Sequence, residues 1–296
     1  MPVQPAQLLQ IVTSVRKGTC TAFLGAAVNR TTDGYDGLPL GGQLSQLLAT
    51  GIDETLEKIA DKNNLAKVSL VYECLVARRP LIDEVKKQIP DKERKPSAVL
   101  KLLAKLPIDL YVTTNYDRLL ERALETRNPF VVVQTPEEIH GAEQVLEWIK
   151  QPKEPGSPPR RPLVYKIHGS FVDTHDVNGV EVDDSPLIIT EADYIDFLTL
   201  LGSSEQAIPQ NILSRFAVDT LLFLGYSLED WDFRVLYKLA LKKSVHKNGL
   251  PHYSVQMPVA QHWKDYWLAQ SNQRLRVLES DVYKFAEDLE KEWDKG

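Results

Sequence analysis

Two stretches of this chain carry residue types from which a reaction could be built. Asp109-Leu-Tyr-Val-Thr-Thr-Asn-Tyr-Asp117 passes abruptly from apolar, β-branched residues to two hydroxyls, an amide and a carboxylate. Leu163-Val-Tyr-Lys-Ile-His-Gly-Ser170 makes the same change and ends in an imidazole, a glycine and a hydroxyl. An amide such as Asn115 can orient a water or a sugar hydroxyl, and an imidazole such as His168 can accept the proton that water gives up. Gly169 leaves space beside the imidazole for a ligand. Thr, Asn and Asp are equally the ordinary residues of helix N-termini, so these types by themselves leave turn chemistry and a site both open.

The elements that must position these groups are legible from periodicity. Leu110, Tyr111 and Val112 predict a short buried strand, and Leu119, Leu120 and Ala123 recur at helical spacing behind Asp117. Thr19 to Leu24 is a second strand, closed by the small-residue turn Gly25-Ala-Ala-Val-Asn-Arg30. Ala217 to Leu224 is a third, closed by Gly225-Tyr-Ser-Leu-Glu-Asp230, where Ser227 and Asp230 are set to cap the helix of Phe233, Leu236 and Leu239. Further strands are expected at Phe130 to Val133, Leu163 to Ser170, Tyr253 to Gln256 and Leu275 to Leu278, and Leu187 to Ile189 is a short apolar run. Helices are expected at Leu8 to Val15, Ile139 to Ile149, from the capping box Thr190-Glu-Ala-Asp193, at Ala260 to Leu268 and at Val282 to Trp293.

From about residue 42 to 106 every apolar pattern is helical, including Leu44 to Leu48, Leu56 to Ile59, Val68 to Leu75, Leu81 to Ile89 and Val99 to Leu103. The whole therefore predicts an α/β protein. Its frame is a Rossmann-like, doubly wound, mostly parallel sheet with helices on both faces, carrying an all-helical insert at about 42–106 within a single domain over 1–296. Strands of one parallel sheet end on one rim. Gly25-Ala26-Ala27, Thr113 to Asp117, His168 to Ser170 and Gly225 to Ser227 should meet there.

Composition narrows the class. With 43% hydrophobic and 26% charged residues the chain is globular, and a net charge of −6 argues against coating nucleic acid. No apolar run approaches the length of a membrane span and the N-terminus lacks a signal-peptide core, so the expectation is a cytoplasmic protein. Cys20 and Cys74 are the only cysteines, too few for a four-cysteine zinc site; both lie in apolar patterns and are expected to be buried. Residues Gln151 to Pro162 read as an exposed linker with Arg160 and Arg161 solvated, and Asp173 to Asp184 as an acidic, turn-rich surface excursion.

The order of the four rim motifs, with Lys-Ile-His-Gly-Ser at 166–170 and Phe-Leu-Gly-Tyr-Ser-Leu-Glu-Asp-Trp-Asp-Phe-Arg at 223–234, resembles the SIR2-like family. More narrowly it resembles the bacterial NAD-degrading effectors of antiphage defence rather than the sirtuin deacylases. The resemblance implies Asn115 and His168 as catalytic residues and Asp117 as a ribose or pocket residue on the nicotinamide side. It implies Gly25, Ala26, Gly225 and Ser227 as dinucleotide contacts, with Ala27, Asn29, Thr114 and Tyr226 in the same motifs. NAD is the implied substrate, and no metal is needed.

Two departures stand out. Ala27 replaces a glycine usual in the family, with Asn29 where a small hydroxyl residue is usual, and a methyl at Ala27 would hold a pyrophosphate further out. Thr114 stands where sirtuins carry Gln, and two cysteines are too few to build the sirtuins' four-cysteine zinc ribbon. The implied reaction is cleavage of NAD to nicotinamide and ADP-ribose. A module that binds NAD or ADP-ribose without turnover is the alternative, and protein deacylation ranks last. Unregulated NAD loss would harm a host, so the reading also implies a switch, supplied by self-association or by a sensor domain or partner.

Overall fold

Cys20–Leu24 (β1) is buried at every position, as expected of a parallel strand covered by helices on both faces. The computed structural model describes residues 3–50, 61–135, 137–152, 160–173, 175–177, 180–182, 185–203, 208–229, 233–238, 250–271 and 274–295. The first half comprises α1 (Pro5–Arg16), β1, α2 (Gly41–Thr50), α3 (Leu65–Leu75), α4 (Arg78–Gln88), α5 (Ala98–Lys105), β2 (Leu110–Thr113), α6 (Leu119–Ala123), β3 (Phe130–Gln134), β4 (Ile139–His140) and α7 (Ala142–Lys150). The second comprises β5 (Leu163–Lys166), β6 (His175–Val177), β7 (Val180–Val182), α8 (Glu191–Ser203), α9 (Gln210–Val218), β8 (Thr220–Leu224), α10 (233–238), β9 (His252–Gln256), α11 (Gln261–Gln270), β10 (Leu275–Glu279) and α12 (Val282–Trp293).

Eight strands form one sheet in the order β10-β9-β8-β1-β2-β5-β3-β4, parallel throughout except for the β3–β4 pair. The fold is thus the Rossmann-type, mostly parallel α/β architecture expected. Neighbouring residues of a strand face opposite sides, so Ala22 joins a core with Leu8, Leu44, Val85, Leu103 and Phe285, while Phe23 joins one with Trp148, Phe216 and Trp267. Between β1 and β2 the described residues are helical apart from short loops and bridges, as the insert predicted; the helix expected at Leu56 to Ile59 lies outside the described residues. Among the described residues no helix is long and apolar enough to cross a membrane.

Several local expectations are corrected. Ile139–His140 is a short antiparallel strand on Gln134 and Val133, and α7 starts only after Gly141, whose φ of +77° turns the chain. Ala217 and Val218 finish α9 rather than starting a strand; α9 itself escaped the periodicity reading. Within the short apolar run Leu187 to Ile189, Leu187 makes an isolated bridge to Gly169. The excursion after Asp173 contains a two-stranded antiparallel ribbon, β6 with β7. Cys20 is buried, but Cys74 is exposed, because the end of α3 also turns Leu75 outward.

Arg160 is the clearest correction. It is not solvated: its Nη1 donates to Asp109 Oδ2 at 2.6 Å and its Nη2 to Trp148 O at 2.5 Å. Arg215 donates to both oxygens of Asp109 at 2.9 and 3.1 Å and to Asp219 at 2.8 Å, and Thr21 adds a hydroxyl to Asp219 at 2.6 Å. This network closes the edge of the sheet where β1, β2 and β8 begin, opposite the rim of motifs. Arg161 fits its expectation better, with its guanidinium 3.8 Å above the Phe130 ring and Nε on Asn128 O.

At the same starting edge, His252 is buried and its Nδ1 accepts the Leu221 N–H at 3.2 Å. Burial, with Arg274 nearby, pushes its pKa down to about 3, so the ring is neutral in the fold while the unfolded chain protonates it below about 6.5. The stability it contributes is whole above that pH and is lost as pH falls towards 3. Asn at position 252 keeps an acceptor for Leu221 without the titration. Between pH 6.5 and 4.5 the wild type is expected to lose about 2–3 kcal/mol more than His252→Asn, read from urea midpoints at the two pH values.

Candidate functional site

The strand registers bring the four motifs to one edge. Leu24 pairs with Thr113 and with Leu224, and Thr113 pairs with Lys166, so Gly25, Thr114, Ile167 and Gly225 each follow the same rung. Asn115 and His168 each stand two residues beyond it. The chain passes from β1 to β2 on one side and later returns to lay β8 on the other. That makes the β1–β8 crevice the topological switch point, where open α/β sheets bind ligands.

At that crevice the two glycine turns touch. Gly25 N donates to Leu224 O at 2.9 Å and Ala27 N to Gly225 O at 3.2 Å. A Cβ at Gly25 would lie 2.6 Å from Gly225 O, and one at Gly225, whose φ is +80°, would lie 2.8 Å from Gly25 O. Each glycine is therefore required by the other, before any ligand is considered.

The neighbouring polar groups bond to one another. Asn115 Nδ2 donates to Gly25 O at 3.3 Å, while Asn115 N donates to Thr113 Oγ1 at 3.1 Å. Tyr226 crosses from the β8 turn to donate to Leu24 O at 3.1 Å and receives the Thr114 hydroxyl at 3.4 Å. Ser227 Oγ accepts the Glu229 N–H at 3.2 Å; Asp230, its expected capping companion, lies outside the described residues.

Asp117 does the capping its position suggested, its Oδ1 accepting Leu119 N at 2.9 Å, and it also takes the Asn29 amide at 3.3 Å. Burial pushes its carboxyl up to about 6, opposed by Lys166 and by the Leu119 hydrogen bond. Asn29 is only 2% exposed, and its Oδ1 is buried with no hydrogen-bond partner.

The raised Asp117 pKa has a definite sign. The folded state holds the proton that the unfolded chain releases near 3.8, so this group favours folding at acid pH and loses that contribution as pH rises through about 6. Asp117→Asn keeps an acceptor for both bonds and removes the buried charge. It is expected to leave stability at pH 7.5 unchanged or raised by about 1–3 kcal/mol, and to flatten the pH 4–6 slope, measured by chemical unfolding.

His168 faces another wall. It is 3% exposed, with its ring edge-on to Tyr194 at 5.2 Å and to Phe197 at 6.2 Å, and Nδ1 lies 3.4 Å from the Tyr194 hydroxyl. The cleft it shares with Tyr194, Phe197, Leu198, Val235 and Leu236 has no room for a water molecule. α8 is held there by the expected capping box: Asp193 N donates to Thr190 Oγ1 and Thr190 N to Asp193 Oδ2. A separate, more open cavity of about 360 Å³ lies against the helical insert, lined in part by Lys86, Lys92, Arg118 and Phe171.

Tyr194 and Phe197 lie on the helix that opens at the Thr190 capping box, and nothing in their spacing sets them apart from ordinary helix core. Lys166 was readable, as a lone charged residue inside an apolar strand, yet it received no role. Among the described residues no group of three or more His, Cys, Asp or Glu is placed to hold a metal.

A family model described as a SIR2-like domain matches residues 109–278, more than half of the chain. The chain belongs to the SIR2-like family. Three curated relatives of this SIR2-like chain carry the name NAD(+) hydrolase ThsA. The protein from Enterococcus faecium is 26% identical over 250 residues, 83% of this chain and 45% of its own length. That from Bacillus cereus (strain MSX-D12) is 31% identical over 130 residues, 44% of this chain and 22% of its own. That from Cytobacillus dafuensis is 29% identical over 155 residues, 52% of this chain and 25% of its own. The matched segments thus span less than half the length of each relative. A solved structure titled for the mechanism and regulation of Sir2 enzymes aligns over 100% of this chain and 98% of its own, at 13% identity and a TM-score of 0.45, too distant to carry a conclusion.

Proposed function

We propose that this chain is an NAD+ glycohydrolase, cleaving NAD+ to nicotinamide and ADP-ribose. The observation that carries the reading is the register: an amide and an imidazole stand at matched positions on adjacent strand ends, beside two glycine turns at the switch point. The relatives named NAD(+) hydrolase support it. So does the orphaned Asn29 acceptor beside Asp117, a buried oxygen that a ribose hydroxyl would satisfy.

The bond between ribose C1′ and the nicotinamide nitrogen breaks with its electron pair going to nitrogen. Nicotinamide leaves neutral, so no general acid is required. A water oxygen forms the new bond at C1′ and its proton passes to His168, while Asn115 orients that water or a ribose hydroxyl. Ionised Asp117 favours the positive charge that develops on the sugar. Gly25, Ala26, Ala27, Gly225, Tyr226 and Ser227 border the path of the pyrophosphate, and Thr114 flanks Asn115.

Because Tyr194 and Phe197 cover His168, turnover requires α8 to draw back, which supplies the silent state that a toxic NADase needs. The finer reading is an effector of antiphage defence in the cytoplasm, released by self-association or by a sensor domain or partner. In it residues 1–296 act as one Rossmann-type domain capped by the helical insert at 42–106.

The enclosed imidazole and Ala27 favour a second reading, a module that binds NAD or ADP-ribose without turnover. One experiment separates them. The purified chain is incubated with NAD+ over a range of protein concentrations, and products are resolved by chromatography. Equal amounts of nicotinamide and ADP-ribose, with specific activity rising with protein concentration, are expected. Saturable NAD+ binding with no product would favour the module, and neither binding nor product would sink both.

A further inference from the structure

Lys166 is 0% exposed, in a strand whose other members, Leu163, Val164 and Tyr165, are apolar and equally buried. An ammonium so placed needs all three protons met by acceptors. Its Nζ donates to Glu121 Oε1 at 2.9 Å, to Tyr116 O at 3.4 Å and to Asp117 O. Two of these three acceptors are main-chain carbonyls of the turn that carries Asn115, and β5 itself runs on within two residues to His168. One buried cation thus ties the strand of the imidazole to the turn of the amide.

We infer that Lys166 is a positioning residue that holds Asn115 in register with His168. The inference rests on the NAD+ glycohydrolase reading for its consequence in catalysis. A Lys–Glu pair kept for stability alone is poorly built here: Glu121 Oε2 is buried without a partner, and hydrocarbon of similar volume serves such a pair as well or better. Hydrocarbon cannot serve the carbonyls. Tyr116 O also receives Phe171 N at 3.0 Å, but Asp117 O would lose the ammonium.

The test separates positioning from stability. Lys166→Met alone strands the Glu121 carboxylate and is expected to lower both the melting temperature and kcat. The double variant Lys166→Met with Glu121→Leu removes the orphaned charge and is expected to regain most of the melting temperature. Its kcat should nevertheless stay at least about 10-fold below wild type, with KM changed less than about 3-fold. Amide hydrogen exchange over residues 114–118 should be about 10-fold faster in the double variant, with β2 unchanged.

Recovery of kcat together with stability, or exchange at the wild-type rate, would overturn the assignment. A wild-type chain that binds but never cleaves NAD+ would sink the glycohydrolase reading, and the exchange measurement would still decide the role of Lys166. If the double variant does not fold, amide exchange over residues 114–118 relative to β2 in Lys166→Met, read at a temperature where that variant is folded, decides the role.

Discussion

His168→Ala is expected to lower NAD+ turnover by about 10²–10⁴-fold, the usual contribution of a positioned proton acceptor. Asn115→Ala should lose a comparable factor, and the double variant little more than either alone, because residues that act on one water fail together. The truncation also has a structural effect that must be kept apart from the chemical one. The imidazole packs on Tyr194 and Phe197 in a cleft without spare volume, so alanine there leaves a cavity worth about 2–4 kcal/mol. Turnover is therefore compared at a temperature where both proteins are folded by circular dichroism. Wild-type kcat in both single variants would mean that these two groups do not carry the reaction.

Arg215→Ala should cause a large loss of stability, about 3–5 kcal/mol, or roughly 10 °C in melting temperature. Arg215 holds two carboxylates. Asp109 keeps Arg160 when Arg215 is removed, whereas Asp219 keeps only the Thr21 hydroxyl. Burial already holds the Asp219 carboxyl above its ordinary range in spite of Arg215, so the pair is limited by desolvation and breaking it is worse than never having built it. Arg161→Ala, which gives up a stacked but more exposed guanidinium, should cost less than about 1 kcal/mol. Calorimetry of the two variants side by side is the check; a melting temperature for Arg215→Ala within 2 °C of wild type would remove the network from the account of this fold.

His168→Ala and Arg215→Ala probe opposite edges of the sheet, and the edges differed in how readable they were. The rim of motifs was legible because small and polar residues end four apolar runs, and parallel strands must end together. Arg160 and Arg215 were not legible: a Pro- and Gly-rich surround made Arg160 look solvated, and α9 was missed altogether. Their shared partner Asp109 lies far away along the chain from both, and although Asp219 is only four residues from Arg215, a charge buried by distant segments has no local pattern.

The site divides in the same way. The amino-acid order alone determined a parallel α/β sheet, a helical insert and the four turns that meet at one rim, because apolar periodicity and turn chemistry act over a few residues. It also put Asn115 and His168 at matched positions of the same edge. Only the tertiary structure decided what each side chain touches there: Gly25 against Gly225, Asn115 on Gly25 O, Asn29 on Asp117, Lys166 beneath the Asn115 turn and α8 over His168. Such contacts depend on the packing of helices across the sheet, where the deciding quantity is volume and distance between residues remote in sequence, which no local pattern encodes.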